Sequence, residues 1–152
     1  MLLQYAIVRP SDRVLDIGCG YGALGLPLAV QASEGSATLI DKDFVAVEYC
    51  RKNADANELS NVEVLLSNGL AQVEAGQFDV VVSNLPAKSG KELYYIMFQD
   101  AWDHMAVGGH FYIVTITGLR RFIKRAFVDV FGNYSKLKQG ATYTVAMATK
   151  EA

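Results

Sequence analysis

Short apolar runs alternate along this chain with longer segments in which apolar residues recur every three or four positions. The apolar runs predict β-strands at residues 13–17, 37–41, 62–66, 78–83 and 110–116. The periodic segments between them predict α-helices at residues 22–32, 90–105 and 119–131, with a further helix beginning at Asp43. Two final strands are expected at residues 134–138 and 141–149, joined near Gln139-Gly140.

Local signals refine the helices. Pro27 lies inside the first helix and predicts a late start or a kink there, because proline lacks the backbone donor that a helix interior needs. Asp43 is a good N-cap for the second helix. The buried face of that helix is expected to consist of Phe44, Val47, Cys50 and Ala54. The pair Gly108-Gly109 predicts the end of the third helix.

Alternating strands and helices predict a sheet with helices on both faces. We therefore expect an α/β fold, a three-layer Rossmann-like sandwich around a mostly parallel seven-stranded sheet with an antiparallel C-terminal strand. Open parallel sheets bind ligands beyond the carboxyl ends of their strands, where the strand order reverses. The polar residues expected at those ends are Asp16, Asp41, Asn68 and Asn84. Their convergence at one edge predicts a single ligand site.

A glycine-rich turn directly follows the first strand, within residues 14–23. Glycines 18, 20 and 22 allow a tight strand-to-helix turn whose backbone approaches a ligand closely. The spacing of Gly18, Gly20 and Ala23 also satisfies the dinucleotide fingerprint, and Asp41 follows at roughly the 20-residue distance of the acid that binds a ribose. Taken alone, the turn therefore fits more than one adenosine-containing ligand.

The charge of Asp16 separates these ligands. A carboxylate beside the glycine turn repels a pyrophosphate and attracts a positive centre. S-adenosylmethionine carries an ammonium, a sulfonium and an adenosine, and no phosphate. Its charges therefore match this sequence if Asp16 lies near the two cations and Asp41 binds the ribose. A nicotinamide-dependent oxidoreductase fits less well. The remaining alternatives are a plain tight turn for the glycines and a helix N-cap for Asp41.

Two motifs resemble those of class I S-adenosylmethionine-dependent methyltransferases. Residues 16–22, DIGCGYG, resemble the first motif of that superfamily, and residues 84–87, NLPA, stand where its amino-methylating members carry Asn-Pro-Pro-aromatic. With residues 88–92, KSGKE, the chain resembles the small archaeal and bacterial relatives of the ribosomal RNA guanine-N2 methyltransferases. This resemblance implies cofactor contacts from Asp16, Gly18, Cys19, Gly20, Tyr21, Gly22, Asp41, Lys42, Asn68, Gly69 and Asn84. It implies catalytic roles for Asn84, Leu85 and Pro86.

The Asn84 turn carries the predicted chemistry. An exocyclic amine conjugated to a ring attacks a methyl group only when its lone pair is turned toward that carbon. The Asn84 side-chain oxygen and the Leu85 carbonyl are candidate acceptors for the two amine hydrogens, with Pro86 fixing the turn. Positioning and desolvation then lower the barrier without a strong general base. The alternative is a plain Asn-x-Pro turn at the end of a strand.

The turn also departs from the family pattern. Leu85 replaces the usual proline, and Ala87 replaces the aromatic residue that stacks on a target base. Stacking then requires another aromatic side chain, for which Tyr21, Phe111 and Tyr112 are the candidates, or else the target is not a base.

The net charge of −2 is unevenly distributed along the chain. Residues 1–87 carry five basic and eleven acidic side chains, whereas residues 88–152 carry nine basic and five acidic ones. Basic residues expected near the ligand edge are Lys88, Arg120, Arg121, Lys124 and Arg125. These residues predict either contacts with RNA phosphates, chiefly from Arg120 and Lys124, or a helix face that is only exposed to solvent.

The remaining features set the class of protein. With 51% hydrophobic and 20% charged residues, the 152 residues are expected to form one globular domain, residues 1–152. No apolar run approaches the ~20 residues of a membrane span, and no signal peptide is evident. Cys19 and Cys50 are expected to be buried, so the cytoplasm is the expected compartment. His104 and His110 lack the ligand spacing of a metal site.

These observations together predict an S-adenosylmethionine-dependent N-methyltransferase that modifies an exocyclic amine of a nucleobase in RNA. The resemblance implies ribosomal RNA as the substrate and guanine N2 as the favoured atom. A protein glutamine amide is the alternative acceptor. A cofactor-binding module without activity of its own is the alternative function. The resembled family carries a further element before residue 1, so an N-terminal element or a second copy of the chain is expected to complete the site.

Overall fold

The computed structural model describes residues 1–73, 76–87 and 89–152. Its strands are β1 (Arg13–Ile17), β2 (Ser36–Asp41), β3 (Val62–Leu66), β4 (Phe78–Asn84), β5 (Met105–Ile116), β6 (Ser135–Gln139) and β7 (Tyr143–Thr149). Its α-helices are α1 (Gly25–Gln31), α2 (Phe44–Ala56), α3 (Lys91–His104) and α4 (Arg120–Phe131), with short 3-10 helices at Leu2–Gln4 and Thr117–Leu119.

Within these residues, the seven strands form one sheet in the order β3-β2-β1-β4-β5-β7-β6. Strands β1 to β5 pair in parallel, whereas β7 runs antiparallel to both β5 and β6. The direction of winding reverses between β1 and β4, which places a crevice beyond the carboxyl ends of these two strands. The predicted fold class is therefore confirmed.

The sheet buries apolar side chains on both faces, because strand residues point alternately to either side. On one face, α3 and α4 pack through Tyr94, Phe98, Ile123 and Phe127 against strand residues such as Phe111. On the other face, α1 and α2 pack through side chains such as Leu28 and Val47. This sandwich fixes the carboxyl ends of the central strands, where the site lies.

Three predictions about the helices concern the start of α1, the buried face of α2 and the end of α3, and the structure confirms only the first in full. Helix α1 begins late, at Gly25, as Pro27 predicted. Phe44 is exposed rather than buried, because the first turn of α2 lies beyond the edge of the sheet where β2 ends. Gly108-Gly109 does not end α3, which stops at His104. The Gly108 amide donates to Lys150 O and the Lys150 amide to Gly109 O, so pairing with the C-terminal segment holds both glycines within β5.

Candidate active site

A cavity of about 570 Å³ opens at the carboxyl edge of the sheet, beside the β1–β4 crevice. Its wall combines the ends of β1, β2 and β4, the loop after β3, and one side of α3. The structure brings together in this wall seven residues that the sequence predicted for the site: Gly18, Asp41, Lys42, Asn68, Gly69, Asn84 and Pro86.

The glycine turn after β1 is tied to the neighbouring strand. The amides of Gly18 and Cys19 both donate to the Ile40 carbonyl, at 2.9 and 2.8 Å. Gly18 and Gly20 have φ angles of +75° and +55°, which side chains other than glycine rarely adopt. A Cβ atom at either position would meet no atom within 4 Å, so the turn presents open backbone toward the space above the sheet.

Asp41 shapes both this turn and the start of α2. Its Oδ2 accepts the Gly20 amide at 2.9 Å, and its Oδ1 accepts the Asp43 amide at 2.9 Å. Asp43 itself caps α2, because its side chain accepts the Val45 amide at 2.9 Å. Asp41 is thus not the N-cap, and its half-buried carboxylate lines the cavity. A role for Asp41 on a ribose stays a prediction.

The loop after β3 forms another part of the wall. Ser67 is buried, donates to the Gly69 carbonyl at 2.7 Å and accepts the Gln72 amide at 3.1 Å. These bonds leave Asn68 exposed at the cavity, beside Gly69 with its φ of +57°. Asn68 therefore combines an Asn-Gly turn with a side chain that borders the cavity.

The turn after β4 is held from three sides. Ser83 Oγ donates to the Ile17 carbonyl at 2.8 Å and joins the ends of β4 and β1. The Leu85 amide donates to the Val114 carbonyl at 2.9 Å, and the Leu85 side chain is buried in the core. The Tyr94 hydroxyl donates to the Pro86 carbonyl. Asn84 is left exposed on a fixed backbone, and packing of Leu85 explains an apolar residue at that position.

Asp16 lies below the glycine turn, not in the cavity wall. It is 1% exposed, and neither carboxylate oxygen has a hydrogen-bond partner among the residues the structure describes. A Cβ atom on Gly25 would lie 2.8 Å from Asp16 Oδ2, so the carboxylate faces α1. Burial raises the pKa of Asp16 to about 7; the Gly25 amide, which lies close by but outside hydrogen-bond geometry, opposes this shift, and the negative charge of Asp41 adds to it.

This raised pKa predicts a pH-dependent stability. Between about pH 4 and pH 7 the folded chain keeps a proton on Asp16 that the unfolded chain has released, so the free energy of unfolding should fall as the pH rises through this window. Asp16→Asn should remove this contribution and gain stability relative to the wild type from pH 5 to pH 8. Urea unfolding of both proteins across this range measures it. Parallel pH profiles would contradict the assignment.

Four residues predicted to contact the cofactor lie in the glycine turn but outside the cavity wall: Cys19, Gly20, Tyr21 and Gly22. Tyr21 is 65% exposed, and its carbonyl accepts the Asn53 side-chain amide at 2.8 Å. Cys19 and Cys50 are free and buried, as predicted. Their contact, together with burial, raises the pKa of the Cys19 thiol.

Two of the three aromatic residues considered for base stacking are core residues. Phe111 and Tyr112 are buried because β5 lies inside the sheet with helices on both faces, so that prediction is wrong. Sequence reasoning instead missed Leu93 and Ile96, which line the cavity and are more than half exposed. Their spacing of three residues, out of step with the buried Tyr94 and Phe98, was the available signal.

The basic residues of α4 form a second, separate hollow of about 420 Å³. It is lined by Arg120, Arg121, Lys124, Tyr134 and Lys136. Arg125 does not line it, and Lys88 lies outside the described residues. Arg120 and Lys124 thus line the same hollow, and their contact with RNA phosphates stays a prediction.

In the parts of the chain that the structure describes, no three His, Cys, Asp or Glu side chains group as metal ligands would. Over the same parts, no helix is long and apolar enough to cross a membrane.

Comparison with known proteins identifies the family. The model of the methyltransferase small domain family matches residues 1–147. Ribosomal RNA small subunit methyltransferase C from Cronobacter sakazakii is 31% identical over 152 residues, covering 97% of this chain and 43% of that protein. Ribosomal protein L11 methyltransferase from Bacillus velezensis is 35% identical over 115 residues, covering 76% and 35%.

A solved structure agrees with these relatives. The 16S rRNA N2 methyltransferase of T. thermophilus, in complex with AdoMet and guanosine, has a TM-score of 0.84 and 30% identity, covering 95% of this chain and 38% of that one. The chain spans about half or less of the length of the relatives it matches. It belongs to the methyltransferase small domain family, whose cofactor is S-adenosylmethionine.

Proposed function

We propose that this chain binds S-adenosylmethionine in the 570 Å³ cavity and transfers its methyl group to an exocyclic amine of a base in ribosomal RNA, with guanine N2 as the favoured atom. The observation that carries this proposal is the wall of the cavity. The exposed Asn84, the carboxylate of Asp41 and the backbone of Gly18 all face the same space.

The residues present fit the cofactor. The open backbone at Gly18 and Gly20 offers a surface that a side chain would otherwise occupy. Asp41 retains free lone pairs for ribose hydroxyls beside its two backbone bonds. Asp16 is a buried carboxylate without a hydrogen-bond partner in the described part of the chain, and such a group gains from a nearby cation. The ammonium of a bound cofactor would supply that charge across the glycine turn, since Asp16 lies below the turn and not in the cavity wall.

Catalysis in this proposal depends on positioning by Asn84. When bound, S-adenosylmethionine supplies a methyl group activated by a positively charged sulfur. The Asn84 side-chain oxygen and the Leu85 carbonyl accept the two hydrogens of the target amine and turn its lone pair toward that methyl group. The bonds from Ser83, Leu85 and Tyr94 hold this turn in place before the substrate arrives, which lowers the cost of orientation.

The relatives and the wall of the cavity favour a base in RNA as the acceptor. The Cronobacter and T. thermophilus proteins are named as ribosomal RNA methyltransferases, and the latter was solved with guanosine. Leu93 and Ile96 form an apolar surface beside Asn84 and Pro86, which suits the face of a base where Ala87 offers none. The similarity to ribosomal protein L11 methyltransferase keeps a protein glutamine amide as the second candidate acceptor.

The test is transfer of labelled methyl groups from S-adenosylmethionine to ribosomal RNA, to ribosomal protein and to free nucleosides. The proposal predicts that RNA is the preferred acceptor. Free nucleosides should react poorly, because remote contacts to the RNA are needed for positioning. Label that appears in protein and not in RNA would favour the second candidate. Binding of the cofactor without transfer to any acceptor would support a binding module instead.

A further inference from the structure

Most of the side chains that line the hollow beside α4 are positively charged. Among the described residues, its wall holds Arg120, Arg121, Lys124, Lys136 and Tyr134, and no carboxylate. One wall is the start of α4, and the other is the start of β6, the edge strand of the sheet. We call this hollow the α4–β6 groove. It shares no residue with the wall of the cofactor cavity.

The charges in this groove are not neutralised within the described parts of the chain. Within those parts, the ion pair that the structure contains joins Arg51 to Glu48 on α2 and does not involve the groove. Arg120 donates to the Thr117 carbonyl at 3.0 Å, and Lys136 donates to Gln139 Oε1 at 2.8 Å. Both of these acceptors are neutral. Four positive charges around one hollow repel each other and favour an anion between them.

Tyr134 gives the groove a flat surface. Its ring lies 6.0 Å from the Lys124 ammonium and is partly buried. Burial raises the pKa of its hydroxyl, with the Arg120 guanidinium opposing the shift, so the hydroxyl stays protonated and can donate a hydrogen bond. Arginine and lysine beside an aromatic ring form a combination that binds phosphate together with a sugar or base.

The register of the sheet places Lys136 of the groove level with Ser83, the residue before Asn84. Ser83 pairs with Ile113, Ile113 with Ala146, and Ala146 with Lys136. Three strand spacings of ~4.8 Å therefore separate β4 from β6, or about 14 Å across the sheet. Helix α4 begins shortly after β5 ends, so the Arg120 end of the groove lies at the same edge of the sheet as the cofactor cavity. An extended polymer reaches both sites, whereas a single nucleotide does not.

We propose that the α4–β6 groove binds the phosphodiester backbone of the RNA strand whose target base enters the cavity beside Asn84. This inference rests on the proposed function and names where its substrate is held. A membrane surface fits the groove less well, because interfacial binding needs exposed apolar side chains among the cations and the one ring here is partly buried.

Two matched double variants test the groove. Lys124→Ala with Lys136→Ala removes one groove charge from α4 and one from β6. Arg125→Ala with Lys138→Ala removes one exposed charge from each of the same elements, outside the groove. The probe is a labelled single-stranded fragment of ribosomal RNA, with its dissociation constant measured against salt. The groove variant should flatten the log–log slope by about 1.4, because each neutralised phosphate contributes ~0.7. The control variant should keep the wild-type slope.

Each of the remaining outcomes counts against either the groove or the proposed function. Equal losses in both variants, or no RNA binding by the wild type, would overturn the groove. Competition by inorganic phosphate or a mononucleotide at the concentration at which RNA binds would also overturn it, because the groove would then be a small-anion site. Wild-type RNA binding through the groove without any methyl transfer would count against the proposed function alone. Circular dichroism checks folding. If the groove variant with two alanines misfolds, Lys124→Gln with Lys136→Gln takes its place.

Discussion

Replacing Asn84 by alanine is expected to slow methyl transfer by at least about 100-fold, the effect of losing one preorganised polar contact at a reacting centre. The side chain is exposed, and the bonds that hold its turn come from Ser83, Leu85 and Tyr94. Its removal should therefore leave the fold intact and the affinity for S-adenosylmethionine within about threefold, which is ~0.6 kcal/mol. Single-turnover transfer rates and cofactor titrations measure the two effects separately.

Asn68→Ala is the matched control, because Asn68 is also an exposed asparagine in the cavity wall after a strand. It should weaken cofactor binding more than it slows the transfer step at saturating cofactor. Asn84→Asp should retain more activity than Asn84→Ala, since a carboxylate still accepts hydrogen bonds from an amine. If Asn84→Ala transferred methyl groups at the wild-type rate, Asn84 would be only a turn residue.

Replacing Asp41 by alanine is expected to weaken S-adenosylmethionine binding by about 1.5–3 kcal/mol, the scale for losing hydrogen bonds to a charged group. This is a loss of roughly 10- to 150-fold in affinity. Two causes combine. The variant loses the carboxylate proposed to hold the ribose, and it releases the Gly20 amide that Asp41 fixes at 2.9 Å. Calorimetric titration with the cofactor and with its demethylated product measures the change.

Asp43→Ala removes a neighbouring carboxylate with the same change in net charge, so it controls for the loss of Asp41. Asp43 caps α2 through the Val45 amide, and its loss should lower the free energy of unfolding by about 1 kcal/mol. Its effect on cofactor affinity should be much smaller than that of Asp41→Ala. Equal losses of affinity would mean that Asp41 acts only by shaping the start of α2.

The fold was predictable because hydrophobic periodicity alone separated strands from helices. The central strands are buried on both faces, and their apolar runs were unambiguous. The prediction that Gly108-Gly109 ends α3 is wrong because pairing with the C-terminal segment, and not the usual helix-ending effect of a glycine pair, decides the conformation there. The prediction that Phe44 is buried is wrong because periodicity does not reveal that the first turn of a helix extends past the sheet.

The site was only partly predictable for a similar reason. Asp41, Asn68 and Asn84 converge because strand ends meet at one edge, and this follows from local sequence. Leu93 and Ile96 belong to the wall because of how α3 packs on β4 and β5, which local sequence does not specify. The position of Asp16 behind the glycine turn depends on the close approach of α1 at Gly25.

Nucleoside analysis of RNA methylated by the wild-type chain tests the central claim most directly. Ribosomal RNA treated with labelled S-adenosylmethionine is digested, and the labelled nucleoside is identified by mass spectrometry. We expect the label on an exocyclic amine, as N2-methylguanosine, and its loss with Asn84→Ala. Label on a ribose oxygen or a ring carbon would contradict the proposed role of Asn84, because neither group presents two amine hydrogens to the Asn84 and Leu85 oxygens.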